Sequence, residues 1–143
     1  MKTKIKNKLL PQQKEAILQT ITKELRSNQA LLFAFVHGSF IEEGLPFHDI
    51  DIAVYFDEEA AQNDLVDLCL ELSVNLSALA RVPVDVHDLN TSRIGFSYEA
   101  TSGKLLYTAN EELSYDFIEN IRMKYYDLKP FWKENLQDLL SSS

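Results

Sequence analysis

Apolar positions recur along this chain in two rhythms, and the switches between them mark out the elements. Ile17, Leu18, Ile21 and Leu25 fall at helical spacing behind Pro11, a residue suited to a helix's first turn. They predict a helix to about Asn28. Residues 30–36 form an unbroken apolar run, the first strand. Residues 38–48 contain Gly44 and Pro46 and predict a loop or a short helical turn. The second strand covers residues 50–56. Asp57, Glu58 and Glu59 then place acids at the positive end of a helix dipole. Leu65, Leu68, Cys69, Leu72, Leu76 and Leu79 lie along one face of what reads as a single long helix ending near Arg81. Residues 82–89 are the third strand. Thr91 is placed to cap a helix to about Ser102, which Gly103 ends. Residues 104–108 are a short fourth strand, and a helix or helix pair spans about 112–140.

This order, α-β-β-α-β-α-β-α, predicts an α/β (α+β) fold with a mixed sheet of about four strands, helices packed on one face and a C-terminal helix. One domain over residues 1–143 is expected, because nothing in the chain reads as a linker. The long connection between the second and third strands favours a right-handed parallel crossover.

The chemistry concentrates between residues 36 and 56. The first apolar run ends in Gly38-Ser39, and Asp49-Ile50-Asp51 opens the second. Side chains alternate along a strand, so Asp49 and Asp51 point the same way. Close carboxylates repel, and a divalent cation is the usual compensation. Mg²⁺ in particular is held by one or two carboxylates together with substrate phosphates. The Gly-Ser turn supplies backbone N–H groups and a hydroxyl suited to a phosphate. For Ser39 and Asp49 to touch one ligand, the first two strands must run antiparallel. Asp51 and Asp85 then sit near the starts of parallel neighbours. Ile50, Ile52, Val54 and Phe56 share one face, as do Val84 and Val86. Asp49, Asp51, Asp85 and His87 take the other. Asp88 reads as a turn residue. His37, His48 and His87 lie beside these residues, but no paired ligand spacing accompanies them, so a zinc site is set aside. His87 is the best of the three for a substrate contact.

A net charge of −8 argues against a nucleic-acid groove and is compatible with a basic protein partner. One cysteine, Cys69, excludes an internal disulfide and fits a reducing, cytoplasmic setting; its place in an apolar stripe predicts a buried thiol. No uninterrupted apolar run is long enough to span a membrane. The basic residues 1–8 read as a frayed start, and 141–143 as a disordered end.

The ordered set of apolar strand, Gly38-Ser39, Asp49-x-Asp51 in a second strand, and Val84-Asp85-Val86 in a third resembles the polymerase-β nucleotidyltransferase superfamily. Within it, the chain looks most like the minimal nucleotidyltransferases, or MNT proteins. The resemblance covers about residues 10–110, and the tail segment at residues 125–130 is similar to small MNT tails. It implies a polymerase-β-like fold and nucleotidyl transfer supported by Mg²⁺ or Mn²⁺. Asp49 and Asp51 would be shared by both metals, Asp85 would be the third carboxylate, and Gly38 and Ser39 would hold the triphosphate tail. It further implies an antitoxin that transfers AMP from ATP to a hydroxyl of a HEPN-type ribonuclease toxin, with no nucleic acid or membrane bound directly.

The chain departs from the family pattern in one loop. Family members often carry arginine soon after the Gly-Ser and serine before the first Asp. Here Glu42 and Glu43 follow, and His48 precedes Asp49. Arg81, Arg93, Lys104, Arg122 and Lys124 are candidate replacement cations. The same loop keeps a second reading open, an antitoxin that neutralises by binding alone. A small-molecule nucleotidyltransferase ranks third, because little chain remains for a substrate domain. Tyr107, Tyr115, Tyr125, Tyr126, Phe131 and Trp132 read as core and interface rather than a base-stacking box.

Overall fold

The computed structural model describes residues 8–141, with side chains described through residue 134. The expected frayed start and serine end lie outside the described residues, apart from Lys8 and Ser141. Helix α1 (Pro11–Arg26) has the predicted Pro at its start, and the Leu10 N–H donates to Gln13 Oε1 at 2.8 Å. Strand β1 (Leu31–His37) leads through Gly38 into a single 3-10 turn at Ser39–Ile41. Strand β2 (Ile50–Phe56) follows.

The predicted long helix is two helices, α2 (Glu58–Ala61) and α3 (Leu65–Ala80). Each has its own aspartate cap. Asp57 accepts from the Ala60 N–H, and Asp64 accepts from the N–H groups of Val66 and Asp67. An Asn63-Asp64 pair immediately before an apolar stripe is an N-cap signature, and it overrides a continuous periodicity. Arg81 ends α3 in the left-handed region at φ 60°, where glycine is the common choice. Leu79 is exposed and leaves the predicted stripe.

Strand β3 (Val84–Asp88), helix α4 (Ile94–Thr101), strand β4 (Lys104–Thr108) and helix α5 (Glu111–Ser141) complete the chain. Thr91 does not cap α4. Its N–H and hydroxyl both donate to Asp88 Oδ2, at 2.8 and 2.9 Å, which makes Asp88 the expected turn residue. Gly103 is required by close approach: a Cβ there would strike the Val36 carbonyl on β1. The C-terminal segment is one helix, with Pro130 inside it.

The sheet order is β3-β2-β1-β4. β1 runs antiparallel to β2 and β4, while β2 and β3 are parallel, as the crossover argument required. One face carries Ile50, Ile52, Val54, Phe56, Val84 and Val86, packed against Leu18, Ile21 and Leu25 of α1 and Cys69, Leu72 and Leu76 of α3. The expectation that helices occupy one face is corrected here. A second core of Phe33, Phe35, Ala53, Leu89 and Ala100, with Phe96, Phe117 and Ile118 against it, forms on the opposite face under α4 and α5. The reason is the aromatic content of β1 on that side. Phe33 stacks on Tyr55 at 4.9 Å and meets Phe117 at 5.2 Å, so that surface also has to be covered.

The tail aromatics divide. Tyr125 stacks on Tyr98 at 3.7 Å, whereas Tyr115, Tyr126, Phe131 and Trp132 are exposed. Cys69 is buried, and burial pushes its thiol up to about 11, so it is a structural residue. No helix among the described residues is long and apolar enough to cross a membrane.

Candidate active site

Register brings the acids together. Asp51 pairs with Asp85 across the parallel β2–β3 ladder and with His37 across the antiparallel β1–β2 ladder. Asp49 stands at the mouth of β2, one strand period ahead of Asp51. One carboxylate oxygen from each of Asp49, Asp51 and Asp85 lies within 4.8 Å of the other two. The three sequence candidates therefore converge, on the sheet face that the alternation predicted.

This convergence is electrostatically unfavourable by itself. Asp51 is partly buried, and its pKa rises from the ordinary 3.8 to about 6. Burial is the largest cause, followed by the charges of Asp49 and Asp85. A group of carboxylates strained in this way is chemically suited to a divalent cation, whose charge would offset their mutual repulsion. Asp85 is held separately: His87 Nε2 lies 3.0 Å from its Oδ2, with both side chains about half exposed. An exposed pair of this kind adds little stability, but it fixes the direction of the carboxylate.

Gly38 stands directly beneath the cluster. Its backbone has φ 84° and ψ −164°, a region that is essentially glycine-only. A Cβ at this position would lie 2.6 Å from Asp51 Oδ2. The glycine thus serves both the turn and the close approach of the acid. Ser39 follows as the first residue of the 3-10 turn.

The acidic loop faces elsewhere. Glu42 and Glu43 are exposed and line a cavity of about 570 Å³ against the start of α1. Lys14 Nζ ties that loop down, donating to the Phe40 carbonyl at 2.7 Å and the Glu42 carbonyl at 3.4 Å. Among the candidate cations, Arg93 lines a cleft of about 320 Å³ together with His87, Asp88 and Phe96. Arg122 is committed to structure: it donates to Thr101 Oγ1 at 2.9 Å and Ser102 Oγ at 3.2 Å and lies over the Tyr98 ring. Lys104 pairs with Glu15 at 3.8 Å.

Sequence reasoning gave no role to three residues at this site. His37 is buried, both its ring nitrogens have no hydrogen-bond partner among the described residues, and burial lowers its pKa, which keeps it neutral. Phe96 of α4 meets the His37 and His87 rings edge-on at 5.4 and 5.5 Å. Glu99 of α4 adds its charge to the field at Asp51 and His37. The position of His37 beside Gly38 was the available signal. The α4 residues had none, because nothing local places that helix over the acids.

Comparison with known proteins agrees with this geometry. Residues 19–112 match the family described as polymerase beta, nucleotidyltransferase. No curated protein matches the chain. Among solved structures, the chain is similar to one from the toxin–antitoxin MntA–HepT, at 22% identity over 88% of this chain and 98% of that one, with a TM-score of 0.68. It is similar to one from the tri-AMPylated Shewanella oneidensis HEPN toxin in complex with MNT antitoxin, at 22% identity over 89% and 98%, with a TM-score of 0.70. A third likeness is to a toxin–antitoxin with AMP-PNP, at 22% identity over 86% and 98%, with a TM-score of 0.68. At this identity the structural likenesses speak for the fold. The family match spans well over half of the sequence and includes the glycine–serine turn and all three acids, so the chain belongs to the polymerase beta nucleotidyltransferase family.

Proposed function

We propose that this protein is a metal-dependent nucleotidyltransferase that acts as the antitoxin of a toxin–antitoxin pair, transferring AMP from ATP to a hydroxyl of a HEPN-type ribonuclease toxin. The observation that carries this reading is the convergence of Asp49, Asp51 and Asp85 beside Gly38-Ser39. The match to 98% of the length of chains from HEPN–MNT complexes supports the partner class. On this reading residues 1–143 are one cytoplasmic domain, with its core at about 10–110 and a helical tail at about 112–140.

Asp49, Asp51 and Asp85 would hold Mg²⁺ or Mn²⁺, which when bound supplies charge stabilisation to the attacking and leaving oxygens. Gly38 and Ser39 hold the triphosphate tail through the turn's N–H groups and the Ser39 hydroxyl. The acceptor oxygen attacks the α-phosphorus, the bond to the bridging oxygen of the β-phosphate breaks, and pyrophosphate leaves. Asp85 sits on the acceptor side and takes the hydroxyl proton, with His87 fixing its orientation. Buried His37, with the partly buried Phe96 edge-on to it, forms the floor of the site.

Incubation with ATP, Mg²⁺ and a cognate HEPN-type toxin, followed by intact-mass measurement of that toxin, tests this proposal. Wild type adds one or more AMP units, and Asp49→Asn with Asp51→Asn adds none. Ser39→Ala slows transfer by about two- to twelvefold, the equivalent of one neutral hydrogen bond. An unmodified partner held inactive in a stable complex would establish binding alone as the mechanism.

A further inference from the structure

The solvent face of α3 carries an apolar stripe that the core does not use. Val66, Leu70 and Val74 recur every fourth residue and are 67%, 58% and 68% exposed. Asp64, Asp67 and Glu71 run beside them, also exposed, and α3 contains no lysine or arginine. The stripe is continuous with the candidate site. Val66, Leu70 and Ser73 line a cleft of about 230 Å³ whose other wall includes Asp85 and His87.

From this continuity we infer that the Val66–Leu70–Val74 stripe is the docking surface for the protein acceptor, a partner presenting an apolar patch with a basic rim. The inference rests on the proposed nucleotidyl transfer and specifies where its macromolecular substrate sits. A hydroxyl that reaches Asp85 comes from a molecule that covers what surrounds Asp85, and on the α3 side that is the stripe. Exposed apolar rows rimmed by polar residues mark such contacts. The acidic rim disfavours the alternatives. It repels nucleic acid and anionic lipid, and it would set Asp67 and Glu71 against their own copies in a self-association through α3. Strand addition is blocked at the same edge of the sheet. The Val84 N–H donates to Ser77 Oγ at 2.8 Å and the Val86 N–H to Ser73 Oγ at 3.0 Å, so docking proceeds through side chains.

The test uses the intact protein, a cognate HEPN-type toxin, and Mg²⁺ with AMP-PNP as a separate probe of the nucleotide site. Leu70→Glu with Val74→Glu, both at exposed positions, should leave the melting temperature and AMP-PNP binding unchanged. The same pair should weaken HEPN binding by about tenfold or more and raise the KM for the HEPN protein while kcat is retained. Asp49→Asn with Asp51→Asn should bind the HEPN protein and fail to modify it. Tyr126→Glu, a similarly exposed change on α5, should bind and modify the HEPN protein like wild type. The inference is overturned if Leu70→Glu with Val74→Glu binds and modifies the HEPN protein like wild type, or if Tyr126→Glu alone removes binding. A wild type that binds the HEPN protein through this stripe without modifying it would overturn the transfer reading and leave the surface standing.

Discussion

Ile50 and Ile52 are fully buried on one face of β2, while Asp51 between them is partly exposed on the other with its pKa raised to about 6. The same strand therefore serves two opposite purposes. The face under α1 and α3 is a closed apolar core. The opposite face is divided: Phe33, Phe35, Ala53, Tyr55 and Leu89 form a second core under α4 and α5, and the starts of β2 and β3 are left to three carboxylates that repel each other. The difference separates what holds the fold from what the fold is used for. Both cores hold the fold, and the acid end of the second face gives up some stability to keep a site poised.

That division can be broken from either side. Ile52→Ala removes packing from the closed face and should cost about 2–5 kcal/mol in chemical denaturation. Gly38→Ala attacks the junction between turn and acid cluster. It forces a side chain into a glycine-only conformation, at about 1–3 kcal/mol, and displaces the Asp51 carboxylate. Nucleotidyl transfer should fall by more than the stability loss explains.

Asp51→Asn acts in the opposite direction. Without metal at pH 8 it should raise stability by about 1–2 kcal/mol, below the limit of about 1.4 kcal/mol per unit of pKa because the group is partly solvated. The pH dependence fixes the sign. The folded pKa, about 6, lies above the ordinary 3.8, so the unfolded chain loses this proton first. The stability associated with this site is full at low pH and is lost as pH rises through the folded value. The gap between Asp51→Asn and wild type should therefore open between about pH 4 and 6 and stay constant above that. Smallest of all, Glu42→Gln with Glu43→Gln should change transfer less than twofold, because that loop lines the α1 cavity.

The same contrast explains what the sequence made legible. The period-two pattern of Ile50, Asp51 and Ile52 reads directly as one buried and one polar face, and the crossover rule then sets Asp85 beside Asp51. Those are local or near-local facts, and the structure agrees with them. The break at Gln62–Asp64 was also written locally, as an N-cap, but the leucine periodicity on either side masked it. What the sequence could not reveal is long-range: α4 lies over the acid face, bringing Phe96 against His37 and His87 and Glu99 near Asp51. That position depends on the aromatic surface of β1 and on α5, elements distant in sequence from the acids.

Asp49, Asp51 and Asp85 are unfavourable together without a cation. Melting temperature at pH 8 should be followed as Mn²⁺ is titrated into wild type and Asp51→Asn. Wild type should begin lower and climb, by the equivalent of about 2.7 kcal/mol at a hundredfold excess over the dissociation constant. Asp51→Asn should begin higher and stay flat. Two curves that rise in parallel from the same starting temperature would show that the acids do not form a cation site.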